Sequence, residues 1–150
     1  MVCLGNICRS PLADGLLRRK TQEKSLPIIV DSAGTSGHHA GESPDNRMQE
    51  TAASFGTPIN DLRSRQFRVS DFEEFDTIFV MDQSNYTNVL KLARTQKDKN
   101  KIHLLLEYTK NNTITEVPDP YFGGKQGFID VYKLLDEATD KLIEQLIHKI

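Results

Sequence analysis

The sequence predicts an α/β domain in which a four-stranded parallel sheet carries helices on both faces. Three observations lead there. Short β-rich runs alternate with helical patterns, the sign of strand–helix–strand units. Helix starts are marked by Ser-Pro pairs at Ser10-Pro11 and Ser43-Pro44, where a capping hydroxyl precedes a first-turn proline. The chain has 150 residues, 37% hydrophobic and 27% charged, which fits one globular domain over residues 1–150.

The elements follow in order. An apolar dipeptide, Met1-Val2, leads into a loop and then a helix, where Leu12, Leu16 and Leu17 recur at helical spacing to about Lys24. "PIIVDSA" (27–33) reads as a buried strand running into a loop. "SPDNRMQETAASFG" (43–56) reads as a second helix, capped by Ser43 and stopped by Gly56. "TIFVM" (77–81) is a strand that ends at Asp82, the cap of a helix through Leu90 and Leu92. "KIHLLLE" (101–107) is the fourth strand. The last helix turns Phe128, Val131, Leu135, Ala138, Leu142 and Leu146 to one face. Four strands covered on both sides make a flavodoxin-like three-layer sandwich, whose ligands bind beyond the carboxyl ends of the strands.

Bulk properties narrow the function. A net charge of -2 supplies no basic stripe for nucleic acid or an anionic membrane. No apolar run approaches the ~20 residues of a membrane span, and no signal-peptide core precedes the first motif. Two cysteines without a secretory signal point to a reducing cytoplasm. The run Arg18-Arg19-Lys20 and the lysines from Lys97 to Lys101 read as solvated surface.

The chemistry concentrates in "CLGNICRS" (3–10), a loop feeding straight into a helix N-terminus. Unpaired amides and the helix dipole favour an anion there. Gly5 and Asn6 can take the positive φ angles that curl successive amides inward. Arg9 can grip two oxyanion oxygens through its planar fork. That positive field favours Cys3 as a thiolate. Leu4, Ile7 and Cys8 complete the lining, and Ser10 can donate its hydroxyl to the Cys3 sulfur. A Cys-x5-Arg string alone recurs by chance, so its placement between strand and helix is what carries weight. Cys3 and Cys8 lack zinc-site spacing, and His38, His39, His103 and His148 form no ligand pattern. No Gly-Lys-Ser/Thr follows, so the loop is not a nucleotide P-loop.

A thiolate attacking a phosphate ester needs an acid for the departing oxygen. Asp119 in "EVPDPYFGG" stands between Pro118 and Pro120, whose rings restrict the backbone around it. Pro-Asp-Pro alone is a rigid turn, but its loop leaves the same sheet end as Cys3.

"VCLGNICRSP" followed by "DPYFGG" resembles the low-molecular-weight protein tyrosine phosphatases, and the similarity runs through "DSAGTSG", "RSRQF", "FDTIFVMDQSN" and the final helix. The resemblance implies hydrolysis of phosphotyrosine through a phosphocysteine, with no metal or other cofactor. It implies a cytoplasmic monomer acting on phosphotyrosine-containing proteins, a tyrosine kinase among the candidates. By position, Cys3 is the nucleophile, Arg9 the phosphate clamp and Asp119 the acid and later the base. Asn6, Ser10 and Ser32 match the network that shapes the loop, Tyr121 flanks the substrate ring, and His38 and His39 form the opposite wall. Leu62 stands where many members carry histidine, and Phe122 replaces the second of two tyrosines.

The resemblance also leads us to expect a natural chain that begins upstream of Met1, because members carry several more apolar residues before the cysteine. Arsenate reductases of this fold need further cysteines downstream, and none follows Cys8. The arginine-phosphatase branch carries threonine where Ile7 stands, so an apolar Ile7 leans towards phosphotyrosine. A phosphotyrosine-binding pseudo-enzyme is a third reading, opposed by the intact Cys3, Arg9 and Asp119. The five-residue reach from Cys3 to Cys8 also makes a disulfide between them plausible under oxidation.

Overall fold

The computed structural model describes residues 1–111 and 113–149. In chain order the elements are β1 (Val2–Cys3), α1 (Arg9–Glu23), β2 (Ala33–Gly34), α2 (Asn46–Ser54), α3 (Asp71–Glu74), β3 (Ile78–Val80), α4 (Gln83–Leu90), α5 (Gln96–Asn100), β4 (Ile102–Leu104), α6 (Leu105–Tyr108) and α7 (Lys125–Ile147). The strands lie side by side as β2-β1-β3-β4, all parallel. Such a sheet needs cover on both faces, and the side-chain alternation along each strand supplies two cores. Val2, Ile78, Val80 and Ile102 face Phe72 of α3 and Val89 of α4. Cys3 and Phe79 point the other way, into Leu12 and Leu16 of α1, Met48 of α2 and Phe128, Leu135 and Leu142 of α7. The result is the flavodoxin-like arrangement, and it sets Cys3 at the carboxyl end of an interior strand.

Several elements differ from the sequence expectation. Of "PIIVDSA" only Ala33 forms strand, continuing into Gly34, because β1 offers Val2 and Cys3 as partners and among the described residues no strand lies beside Pro27–Asp31. Ile29 is accordingly 86% exposed. A groove of about 490 Å³ runs between Ile28–Asp31 and Phe75–Ile78. At its floor the Met1 ammonium donates to Asp31 O at 3.0 Å, and burial pushes its pKa down. Ser10 does not cap α1: the helix starts at Arg9 with Cys8 in the cap position, and the Ser10 hydroxyl is drawn to other partners. Asp45, not Ser43, caps α2 by accepting from Arg47 N, whereas Gly56 ends it at φ +85° as expected. "KIHLLLE" is strand only to Leu104 and then turns helical. Leu92 lies beyond α4 and is 40% exposed, and Leu146 is only partly buried against the core.

The basic run on α1 is not all solvated either. Lys20 is buried, and its ammonium reaches Asp136 Oδ1 and Thr139 Oγ1 at 2.7 Å and Asp140 Oδ1 at 2.9 Å, fastening α1 to α7. Paired this fully, a lysine can be buried. Lys101 likewise donates to Phe75 O at 3.0 Å. None of the described helices is long and apolar enough to cross a membrane.

Helix α1 approaches the loop before Leu62 so closely that a Cβ on Gly15 would lie 2.5 Å from Ile59 Cγ2. Gly15→Ala should therefore cost about 1–3 kcal/mol through overpacking, despite alanine's better helix propensity. Thermal melts of Gly15→Ala in the parent and in an Ile59→Ala background, which lacks Cγ2, test this. A smaller loss in the Ile59→Ala background is expected, and a more stable single variant would show that the space exists.

Candidate active site

The site begins where β1 stops. From Gly5 to Ser10, no backbone N–H donates to an acceptor among the described residues. Asn6 makes that possible: its φ of +57° is the left-handed turn that keeps the loop from closing into helix. Gly5 was the other residue expected to take a positive φ, and it does not.

Asn6 is locked from three sides. Its Nδ2 donates to Ser10 Oγ at 2.7 Å and to Ser32 Oγ at 3.0 Å, while its Oδ1 accepts from Arg65 N at 3.1 Å. Ser64 Oγ adds a bond to Gly5 O at 3.1 Å. Arg65 itself is anchored by two bonds to the buried Asp71, at 2.9 and 3.1 Å. These residues sit in "RSRQF", so the loop is held from a segment 59 residues away. Leu62 packs against the core and takes no part in that hydrogen bonding.

Gly34 fixes the floor. A Cβ there would meet Leu4 O at 2.8 Å, Ser36 O at 3.0 Å and Asn6 N at 3.1 Å, all backbone atoms.

Cys3 is buried at the centre of this cradle. Ser10 Oγ lies 3.0 Å from its sulfur and 3.3 Å from Ala33 O, so an ionised Cys3 has the nearer claim on the hydroxyl proton. Arg9 is 3% exposed, with Nη1 on Asp82 Oδ2 at 2.6 Å and Val117 O at 3.1 Å, and Nη2 3.6 Å from Asp119 Oδ2. Burial works against the arginine's charge, but Cys3, Asp82 and Asp119 outweigh it and leave the guanidinium pKa raised. Asp82 therefore does two things. One oxygen completes the capping box of α4 with Asn85, as the sequence suggests, and the other orients Arg9.

Asp119 is 39% exposed and accepts from Tyr121 N at 3.0 Å. Tyr121 and Leu4 are partly exposed at the rim. His39 lies against Gly5 and pairs through Nδ1 with Glu42 at 2.6 Å. His38 is exposed, with its amide on Ser36 Oγ, and it joins no other site residue. Ile7 is partly buried against the core, and its carbonyl accepts from Asp45 N at 2.8 Å. Cys8 is buried, and burial pushes its thiol well above the ordinary range, with Asp45, Cys3 and Asp119 adding to the effect. That works against Cys8 as the attacking thiolate in a disulfide with Cys3.

The arrangement sets a buried sulfur, a buried guanidinium and a part-exposed carboxyl about a loop of unpaired amides, a set whose donors suit an oxyanion. Matched to known proteins, residues 1–150 fit the family model described as low molecular weight phosphotyrosine protein phosphatase. The chain belongs to that family. It is 43% identical over 147 residues to a putative low molecular weight protein-tyrosine-phosphatase of Synechocystis sp., covering 97% of this chain and 93% of that protein. A crystal structure of protein tyrosine phosphatase from Entamoeba histolytica superposes with a TM-score of 0.92 at 40% identity, covering 99% of this chain and 95% of that one. A Drosophila arginine phosphatase superposes with a TM-score of 0.89 at 32% identity, covering 97% and 94%.

The structure gathers Cys3, Asn6, Arg9, Ser10, Ser32 and Asp119 into one cluster. The sequence reading misses Gly34, the Arg9-directed oxygen of Asp82, and the Ser64–Arg65 buttress. For Asp82 a signal is present, since it follows a strand at the carboxyl end of the sheet, where ligands bind. Because backbone surrounds Gly34, Gly34→Ala should displace the loop and weaken binding of inorganic phosphate by about tenfold or more, the loss of one charge-assisted bond. Titration calorimetry on the folded variant checks this, and unchanged affinity would mean the floor has room to spare.

Proposed function

We propose that the protein hydrolyses phosphotyrosine on proteins to tyrosine and inorganic phosphate through a phosphocysteine at Cys3, in the cytoplasm and without a metal. The observation that carries this reading is the Cys3 sulfur beneath six free amides, with the guanidinium of Arg9 turned towards Asp119. In the first step the Cys3 thiolate forms an S–P bond as the P–O bond to the aryl group breaks. Asp119 gives its proton to the departing oxygen. The equatorial oxygens stay on the amides and Arg9, where developing charge is met by donors already in place. Ser10 donates to the sulfur, stabilising it as nucleophile and as leaving group. In the second step water attacks phosphorus, Asp119 takes its proton, and the S–P bond breaks. Leu4, His39 and Tyr121 line the mouth where an aryl ring would lie.

A phosphoarginine reading gains support from the similarity to the arginine phosphatase, whereas the apolar Ile7 favours phosphotyrosine. Purified protein should be offered phosphotyrosine, phosphoserine and phosphoarginine in parallel. Highest kcat/KM on phosphotyrosine is expected, and preference for phosphoarginine would overturn the substrate assignment. Cys3→Ser should lose turnover on all three yet still bind phosphate, because the amides and Arg9 remain. Turnover by Cys3→Ser near the parent rate would remove Cys3 as nucleophile.

Asp119→Ala should lose about 10²–10⁴ in rate for phenyl phosphate and much less for nitrophenyl phosphate, whose anion departs without a proton. Equal losses on both esters would assign the acid elsewhere.

A further inference from the structure

Asp119 sits on a stretch, Pro118 to Gly124, that has little fastening of its own. Within it, Gly123 N donates to Pro120 O and Tyr121 N to Asp119 Oδ1. Arg9 reaches it at the Asp119 carboxylate, at 3.6 Å. Among the described residues, two hydrogen bonds reach its backbone from outside: Gly127 N donates to Gly124 O at 3.0 Å where α7 begins, and Arg47 Nη2 donates to Tyr121 O at 2.9 Å, beside Asp119.

Arg47 is itself unusually well held for a half-exposed residue. Asp45 Oδ1 accepts from its Nε at 3.1 Å and its backbone N at 2.8 Å, and Asp45 Oδ2 accepts from Nη2 at 2.9 Å. The guanidinium carbon lies 4.7 Å from the Phe128 ring centroid and 5.4 Å from that of Tyr121. At the other end, Asp45 N donates to Ile7 O in the phosphate loop at 2.8 Å. A closed circuit results, running from Ile7 through Asp45, Arg47, Tyr121 and Asp119 to Arg9 and back into the loop.

We propose that Asp45 and Arg47 are positioning residues that set the reach of the Asp119 carboxyl over the phosphate loop, and so determine how well the enzyme handles poor leaving groups. The proposal rests on the phosphatase reading above. Its physical basis is that the bonds to Asp45 fix the guanidinium fork, and the fork fixes Tyr121 by one hydrogen bond and one ring contact. Tyr121 N then fixes which way Asp119 Oδ1 turns, leaving Oδ2 towards Arg9. Its hydrogen bonds to Arg47 also hold the Asp45 carboxyl below the ordinary carboxylate range, so the brace stays ionised as the solution is acidified. A displacement of order 1 Å at a proton donor costs about 10²-fold in rate, and the effect falls on the step that uses the proton.

The test compares kcat/KM for phenyl phosphate and nitrophenyl phosphate in the parent, Arg47→Met, Arg47→Lys and Asp45→Asn. Arg47→Met keeps the apolar stem on Phe128, and Arg47→Lys keeps the charge without the fork. Arg47→Met is expected to lose about 10–100-fold on phenyl phosphate and less than about threefold on nitrophenyl phosphate. Arg47→Lys and Asp45→Asn should fall between it and the parent. In an Asp119→Ala background, Arg47→Met should have no further effect on phenyl phosphate, because both changes remove one function. Equal losses on the two esters, additive losses in the double variant, or parent-like rates would each overturn the brace. A parent enzyme that turns over neither ester would instead overturn the phosphatase reading, which keeps the two failures apart.

Discussion

The side chain of Asn6 makes three hydrogen bonds, and the six free amides of the loop depend on them. A chain left to itself would pair those amides, either by extending α1 backwards or by folding onto β2, since an unsatisfied buried donor costs about 1–3 kcal/mol. The left-handed turn at Asn6 blocks the first escape. Its bonds to Ser10, Ser32 and Arg65 N block the second by tying the loop to α1, to the approach to β2 and to the 64–67 segment at once. Gly34 completes the arrangement by letting backbone meet backbone beneath the turn. The loop is therefore held open by side chains that are themselves buried.

The same arrangement governs charge. A guanidinium as deeply buried as that of Arg9 is tolerable only if it is paired, and removing one partner of such a pair typically costs about 3–5 kcal/mol. Asp82 supplies the permanent partner from the end of β3, where it is already fixed by capping α4. That leaves the Asp119 contact the longer and more exposed of the two, at 3.6 Å against 2.6 Å. The arginine is thus held mainly by the one carboxylate that is already fixed as a helix cap.

Much of this was legible in the sequence, and what was not has identifiable causes. The Cys3–Ser10 string can be read because strand end, loop and helix start are contiguous. Asp119 can be read because two prolines mark it. The strand ends were misjudged because apolar runs look the same whether they pair or turn: "KIHLLLE" changes from strand to helix at Leu104 with no break in hydropathy. Lys20 was misplaced because its acceptors are on α7, more than a hundred residues downstream. Arg65 and Arg47 have acidic partners nearby in the chain, but the contacts that tie them to the site, Arg65 N with Asn6 and Arg47 with Tyr121 O, span 59 and 74 residues and are set by topology.

The open loop has a consequence for the folded state as a whole. Its donors exist as a converging set only when the chain is folded, so any oxyanion that fills them binds the native form and not the unfolded one. By mass action, an anion at a hundred times its dissociation constant adds about 2.7 kcal/mol to the free energy of unfolding. The ion that would compete with a phosphoryl group for the cradle is thus also a thermodynamic chaperone of the fold. Surroundings rich in phosphate would leave the protein slower and longer-lived, and depletion would leave it faster and closer to its melting point.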